Sequence, residues 1–176
     1  MAVMSQKKLH SLHDLLVHQL KDIYYAEKQI QRALGKLAKS ATDESLQAAF
    51  ENHREETAEH IVRLEEAFGE LGIAARGVRC PAIDGLIKEA NELLTETQGE
   101  PEVMDAAMIA SAQRVEHYEI AAYGCIRAFA NQLGYKRIVK LADATISEEG
   151  NADALLTKIA EGAVNAAAVS QEEAVV

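Results

Sequence analysis

At 176 residues the chain is one domain's worth of polypeptide, long enough to bury a sizeable core. It has no Trp, two Pro and few aromatics against abundant Ala, Leu, Glu, Lys and Gln, a composition that favours helices throughout and excludes a sheet protein. A net charge of −10 excludes nucleic acid as the partner, since phosphate binding requires clustered Lys and Arg.

The first expected helix covers about 8–40. Its apolar positions recur in steps of three and four through Leu9, Leu12, Leu16, Leu20, Ile23, Ile30, Leu34 and Leu37, and Glu27 occupies the step between Ile23 and Ile30. A second helix, about 43–71, is expected to be capped by Thr42 or Asp43 and stopped near Gly69 and Gly72. Its inward positions read Leu46, Phe50, His53, Glu56 or Thr57, His60, Leu64, Phe68 and Leu71. The segment 72–81 (GIAARGVRCP) holds too much glycine to continue it.

A shorter helix over about 82–97 carries Ile83, Leu86, Ile87, Ala90, Leu93 and Leu94 on one side, and Gly99-Glu100-Pro101 breaks it. The next long helix, about 102–133, closes at Gly134 and reads Ile109, Ala112, Glu116, Glu119, Tyr123, Ile126, Ala130 and Leu133 along its inward face. The last, about 136–166, reads Ile138, Ala142, Thr145, Glu149, Ala152, Leu156, Ile159 and Ala163, with Asp153 one turn beyond Glu149. Beyond it no pattern is visible, so one domain is expected over 1–168 and a frayed tail over 169–176.

Loop lengths set the topology. A few residues join the first two long helices, and likewise the last two, so each pair forms an antiparallel hairpin. Some thirty residues with a helix of their own separate the hairpins, and such a crossover is the connection of a ferritin-like bundle rather than a simple up-down one. Glu27 and Glu56 are 29 residues apart and Glu119 and Glu149 are 30 apart, so each hairpin carries an acid on each arm at similar heights above its turn.

Cys80 and Cys125 are too few and too distant for a disulfide framework, and free thiols in a reducing cytoplasm are the expectation. The N-terminal MAVMSQKKLHSLHD has no apolar core for a signal peptide, and no run approaches the ~18 apolar residues of a membrane span. A soluble cytoplasmic protein is expected, with no membrane partner.

Acids in the seams of four helices carry the functional reading. A buried carboxylate is costly unless compensated, and a metal is the usual compensation inside a bundle. The inward set is Glu27, Glu56, Glu116, Glu119 and Glu149, joined by His53, which shares a face with Glu56 at i, i+3, by His60 at i, i+4, and by Asp153 at the margin. Carboxylate with imidazole suits iron, manganese or zinc, and carboxylates bridge two ions readily. Each residue also has a plainer role. A seam Glu can bend out to water, His53 can be a core histidine bonded to an acid, and His60 can face outward beside Glu59. Tyr24, Tyr25, Tyr118 and Tyr123 flank the acids as hydrogen-bond donors, His10, His13 and His18 are expected at the surface, and His117 is expected outside the ligand set. Metal-free acids would need partners such as Arg114, Tyr24 or Tyr123, or raised pKa values.

The stretches DIYYAEKQIQRAL, AFENHREETAEHIVRLE, DAAMIASAQRVEHYEIAAYG and EEGNADALLTKIA resemble the YciE/YciF family of stress-associated ferritin-like proteins, closest to its YciF branch, over about residues 9–163. VEHYEIAAYG is the most specific of them. The resemblance implies a homodimer of four-helix bundles with a di-metal site. Ferritins and rubrerythrin-like enzymes place His three residues after Glu on the second and fourth helices; here those positions are Glu59 and Ala152. The expectation is therefore two iron ions, or iron with manganese, held by Glu27, Glu56, Glu119 and Glu149 with His53 and Glu116, and redox chemistry towards dioxygen or peroxide. The alternative is a stress-induced structural or interaction protein whose metal only stabilises the bundle.

Overall fold

The computed structural model describes residues 8–174. Helix α1 spans Leu12–Ser40, α2 Glu44–Glu70, α3 Pro81–Glu96, α4 Pro101–Leu133 and α5 Lys136–Ile159; a π-helical turn, Ala160–Val164, leads into α6, Asn165–Ala174. The protein is an all-helical bundle. Helix α1 packs on α2 and α4 on α5, and the two hairpins close through α1 against α4 and α2 against α5. Most expected boundaries agree within a residue or two. The first helix is an exception: it begins at Leu12 because the Ser11 hydroxyl caps it, accepting from the Asp14 N–H at 3.0 Å. Leu9 therefore precedes the helix and is 45% exposed.

Local chemistry explains the remaining ends. Asp43 rather than Thr42 caps α2, accepting from Leu46 N at 2.9 Å. Proline opens both α3 and α4, where its missing N–H costs nothing. Gly134 adopts φ +82 to end α4, a left-handed conformation that a side chain would strain. Where fraying is expected from 169 onward, the structure is helical as far as Ala174: α5 passes through the π-turn into α6, which packs against α4. Residues 175 and 176 of that expected tail, and residues 1–7 of the stretch read for a signal peptide, lie outside the described residues.

The direction of α4 decides where the acids meet. Asp105, buried at its start, accepts from Thr42 N at 2.9 Å, Thr42 Oγ1 at 2.7 Å and Asp43 N at 2.8 Å. This carboxylate ties the first turn of α4 to the turn between α1 and α2, so α4 runs antiparallel to α1 and the crossover has returned to the end from which α2 departed. Along the way the crossover lies close on α1: Val78 N donates to Lys21 O at 3.0 Å, and a Cβ at Gly77 would sit 3.2 Å from the Tyr25 Cα. The apolar core is continuous from Leu16 and Phe68 at one end to Leu46 and Met108 at the other. Among the described residues no helix is long and apolar enough to cross a membrane, and both cysteines are free.

Candidate metal centre

The seam positions of four helices converge at mid-bundle. Glu27 of α1, His53 and His60 of α2, Glu116 and Glu119 of α4 and Glu149 of α5 are all buried, Glu27 and Glu149 completely. They form two overlapping groups. One comprises His53, Glu116, Glu119 and Glu149, the other Glu27, His60 and Glu149; within each group the candidate ligand atoms lie within 4.8 Å of one another. Glu149 belongs to both, so it would contribute to either group if each held an ion.

Two of the expected ligands are not in this cluster. The step pattern Leu46, Phe50, His53, Thr57, His60, Leu64 passes through Thr57, whose hydroxyl donates back to His53 O at 2.8 Å. Glu56 is displaced to the flank, its side chain 49% exposed. On α5 the pattern likewise passes from Glu149 through Ala152 to Leu156, leaving Asp153 beside it. Asp153 accepts from Gln113 Nε2 at 3.0 Å and lies 3.5 Å from the exposed His117. Of the three partners considered for metal-free acids, Arg114 pairs with Glu89 and Tyr24 with Glu65, whereas Tyr123 donates a short hydrogen bond to Glu27.

Each histidine is held by an outer carboxylate on one nitrogen and turns the other towards the cluster. His53 Nδ1 is 3.3 Å from Glu56 Oε2, and its Nε2 is 3.2 Å from Glu116 and 3.4 Å from Glu149. His60 has the reverse arrangement. Its Nε2 is 2.9 Å from Glu148 Oε2, and its Nδ1 is 3.0 Å from Glu149 and 3.5 Å from Glu27. Arg63 anchors Glu148 with both guanidinium nitrogens, Nη2 to Oε1 at 2.9 Å. An outer carboxylate on a histidine fixes its tautomer and orientation for metal binding. Glu56, expected as a ligand, contacts His53 from outside the cluster, and Glu148 contacts His60 in the same way without any sequence signal. Its partners are 85 and 88 residues away, and no periodicity reports such pairing.

The inner atoms are close but not hydrogen-bonded. Ten buried side-chain N or O atoms lack a hydrogen-bond partner among the described residues, and eight of them are here: Glu27 Oε2, His53 Nε2, His60 Nδ1, Glu116 Oε2 and both oxygens of Glu119 and Glu149. Such atoms cost free energy unless something occupies the space they face. The electrostatics agree. Burial, then the charges of Glu149, Glu27 and Glu116, push the Glu119 carboxyl well above its ordinary value. Burial lifts Glu149 to about 7, with His60 opposing and Glu116 adding. For His53 burial disfavours the charged ring, but Glu116 and Glu149 outweigh it and raise its pKa to about 9; Glu149 and Glu27 likewise outweigh burial and raise His60 to about 10. Burial and Glu27 keep Tyr123 protonated, and Arg63 holds Glu148 below the usual carboxylate range. Four carboxylates and two imidazoles suit borderline divalent ions, and two such ions would neutralise the acids.

An all-helical bundle whose four long helices each bring a carboxylate or imidazole to one buried cluster is the class that fold and site define. The chain belongs to the family described as domain of unknown function DUF892, which matches residues 11–169. It is 44% identical to Protein YciF of Escherichia coli (strain K12) over 158 residues, covering 89% of this chain and 95% of that protein. The crystal structure of the E. coli stress protein YciF superposes with a TM-score of 0.84, at 44% identity, covering 89% of this chain and 99% of that one. YcfI of Rhodopseudomonas palustris, provisionally described as a structural protein, gives a TM-score of 0.84 at 46% identity over 86% of this chain and 96% of its own. A Xanthomonas campestris protein at 20% identity shares the fold, with a TM-score of 0.72 over 93% of this chain and 99% of that one.

Proposed function

We propose that the chain is a two-metal carboxylate protein of the ferritin-like class, holding two iron ions or iron with manganese and reacting with dioxygen or peroxide under stress conditions. The observation that carries this reading is the group of eight buried, unpartnered N and O atoms around Glu149, in two sets of metal-ligand spacing. His53, Glu116 and Glu119 would hold one ion, Glu27 and His60 the other, and Glu149 both. The metals would supply electrons and a Lewis acid. The protein's part is to exclude water with the surrounding Leu20, Ile23, Phe50 and Ile126, to orient the imidazoles through Glu56 and Glu148, and to hold a proton on Tyr123 beside Glu27. The stress role follows the description of the E. coli relative. A homodimer is what the resemblance implies, and a cytoplasmic setting is what the sequence reading expects.

Anaerobic reconstitution with iron(II) or manganese(II), followed by elemental analysis, tests this reading. About two ions per chain is expected, and a loading well below one overturns it. A second reading, a structural protein whose metal only holds the bundle together, draws on the description given to the R. palustris relative. Consumption of peroxide or oxygen by the loaded protein separates the two. If neither is consumed and metal only raises the melting temperature, the structural reading stands.

A further inference from the structure

The two halves of the cluster differ in access. A cavity of about 150 Å3 opens between α2 and α5 and reaches His53 and Glu116 of the first group. Its walls are apolar, formed by Phe50, Ala152 and Leu156, with Leu155 at the lip. Asn151 and Glu56 stand at the mouth, both exposed. The second group is covered by its neighbours. Glu27 and His60 are completely buried, Tyr123 covers Glu27, and the Arg63–Glu148 pair covers the outer edge of His60. A cavity beside Tyr123 and Arg63 measures about 10 Å3, at the lower limit for a single water.

Ala152 is a small residue in the wall of this opening. It stands three positions after Glu149, on the same stripe of α5, where a larger side chain would project into the space beside His53. A water occupies about 30 Å3 in the liquid, so the cavity admits a few molecules of that size and nothing as large as a sugar or nucleotide. Apolar walls ending at a pair of metal-type donors favour a small neutral molecule over an ion. The exposed Glu56 at the mouth adds a carboxylate that disfavours anions.

Resting on the two-metal reading above, we propose that the two subsites are inequivalent: the His53–Glu116–Glu119 subsite is open to a small neutral molecule of dioxygen or peroxide size, entering through the cavity that Ala152 lines, and the Glu27–His60 subsite is sealed. An ion held in the open subsite would be the exchangeable one and would be within reach of the entering molecule. The sealed ion leaves only when the bundle itself opens.

Release of cobalt(II) from the doubly loaded protein to excess chelator, followed in a rapid-mixing spectrometer, tests this without any assay of turnover. Two phases of equal amplitude are expected, with the fast one at least tenfold faster. Ala152→Leu narrows the cavity and Asn151→Trp, at an exposed position, covers its mouth; each is expected to slow the fast phase at least tenfold, leave the slow phase alone and keep two ions per chain. Hydrogen peroxide added to the iron(II)-loaded protein oxidises it to iron(III) and is itself reduced to water, and the iron(III) absorbance should develop correspondingly more slowly in both variants. A single release phase in the parent, or two ions with unchanged fast release in both variants, overturns the inequivalence and leaves the two-metal reading standing. Failure of the parent to bind cobalt, iron or manganese at all overturns both.

Discussion

Replacing Glu149 by Gln should make the metal-free protein more stable and the metal centre weaker. Glu149 is completely buried, and its carboxyl moves from an ordinary value of 4.5 to about 7 in the folded protein, burial being the chief cause. A carboxyl with a raised folded value binds its proton more tightly in the native state, so above pH 7 its ionisation works against folding. At about 1.36 kcal/mol per pH unit, the charge costs the metal-free fold on the order of 3 kcal/mol at pH 8. Glutamine keeps the shape and removes the charge. In a protein of this length each kcal/mol moves the melting temperature by about 2–4 °C, so a rise of roughly 6–12 °C is expected in calorimetry at pH 8 with chelator present. The same substitution removes the one residue common to both ligand groups. Elemental analysis after reconstitution should therefore show loss of both ions. An exposed control such as Glu70→Gln should change neither quantity. If Glu149→Gln melts at or below the parent temperature in chelator, or still binds two ions with parental affinity, the cluster is not a charged site awaiting cations and the reasoning fails.

The pH dependence of stability should reverse sign with metal. His53, His60 and Glu149 all have raised folded values, about 9, 10 and 7, so their contribution to the metal-free fold is complete at low pH and is lost as pH rises through those values; bound metal needs the deprotonated groups, so the loaded protein should lose stability as pH falls. Melting temperatures from pH 6 to 9 with chelator and with metal should slope in opposite directions, and parallel slopes would count against the site. Glu148→Ala removes the carboxylate that orients His60 and should weaken binding of one ion about 10–100-fold in chelator competition, leaving the other within a few-fold. Asp105→Ala strands the N–H groups of Thr42 and Asp43 and should destabilise the fold by roughly 1–3 kcal/mol, read as a lowered denaturant midpoint with metal binding retained.

Much of this molecule could be read from residue spacing, and particular residues show where spacing stopped being informative. Glu27, Glu116, Glu119 and Glu149 interrupt apolar stripes that are otherwise regular, so their burial follows from helical periodicity alone. Glu56 against Thr57 is a different case. The two neighbours differ by 100° around the helix, both are compatible with the stripe, and only packing on α1 and α5 chose Thr57 for the inside. Asp153 and Ala152 repeat the choice on α5. The orienting pair Glu148 and Arg63, and the cap that Asp105 provides across the bundle, link residues far apart in the chain and leave no local trace.

By itself the sequence determined the helices, their hairpins, the long crossover and the fact that charged groups face the core, because these depend on periodicity, capping and loop length. The tertiary structure decided that the acids share one level, that two imidazoles join them with Glu149 between, and that one side of the cluster opens beside Ala152 while the other is closed. Those outcomes depend on how far each helix is turned and shifted against its neighbours, and a rotation of one residue step is enough to exchange a ligand for an exposed side chain.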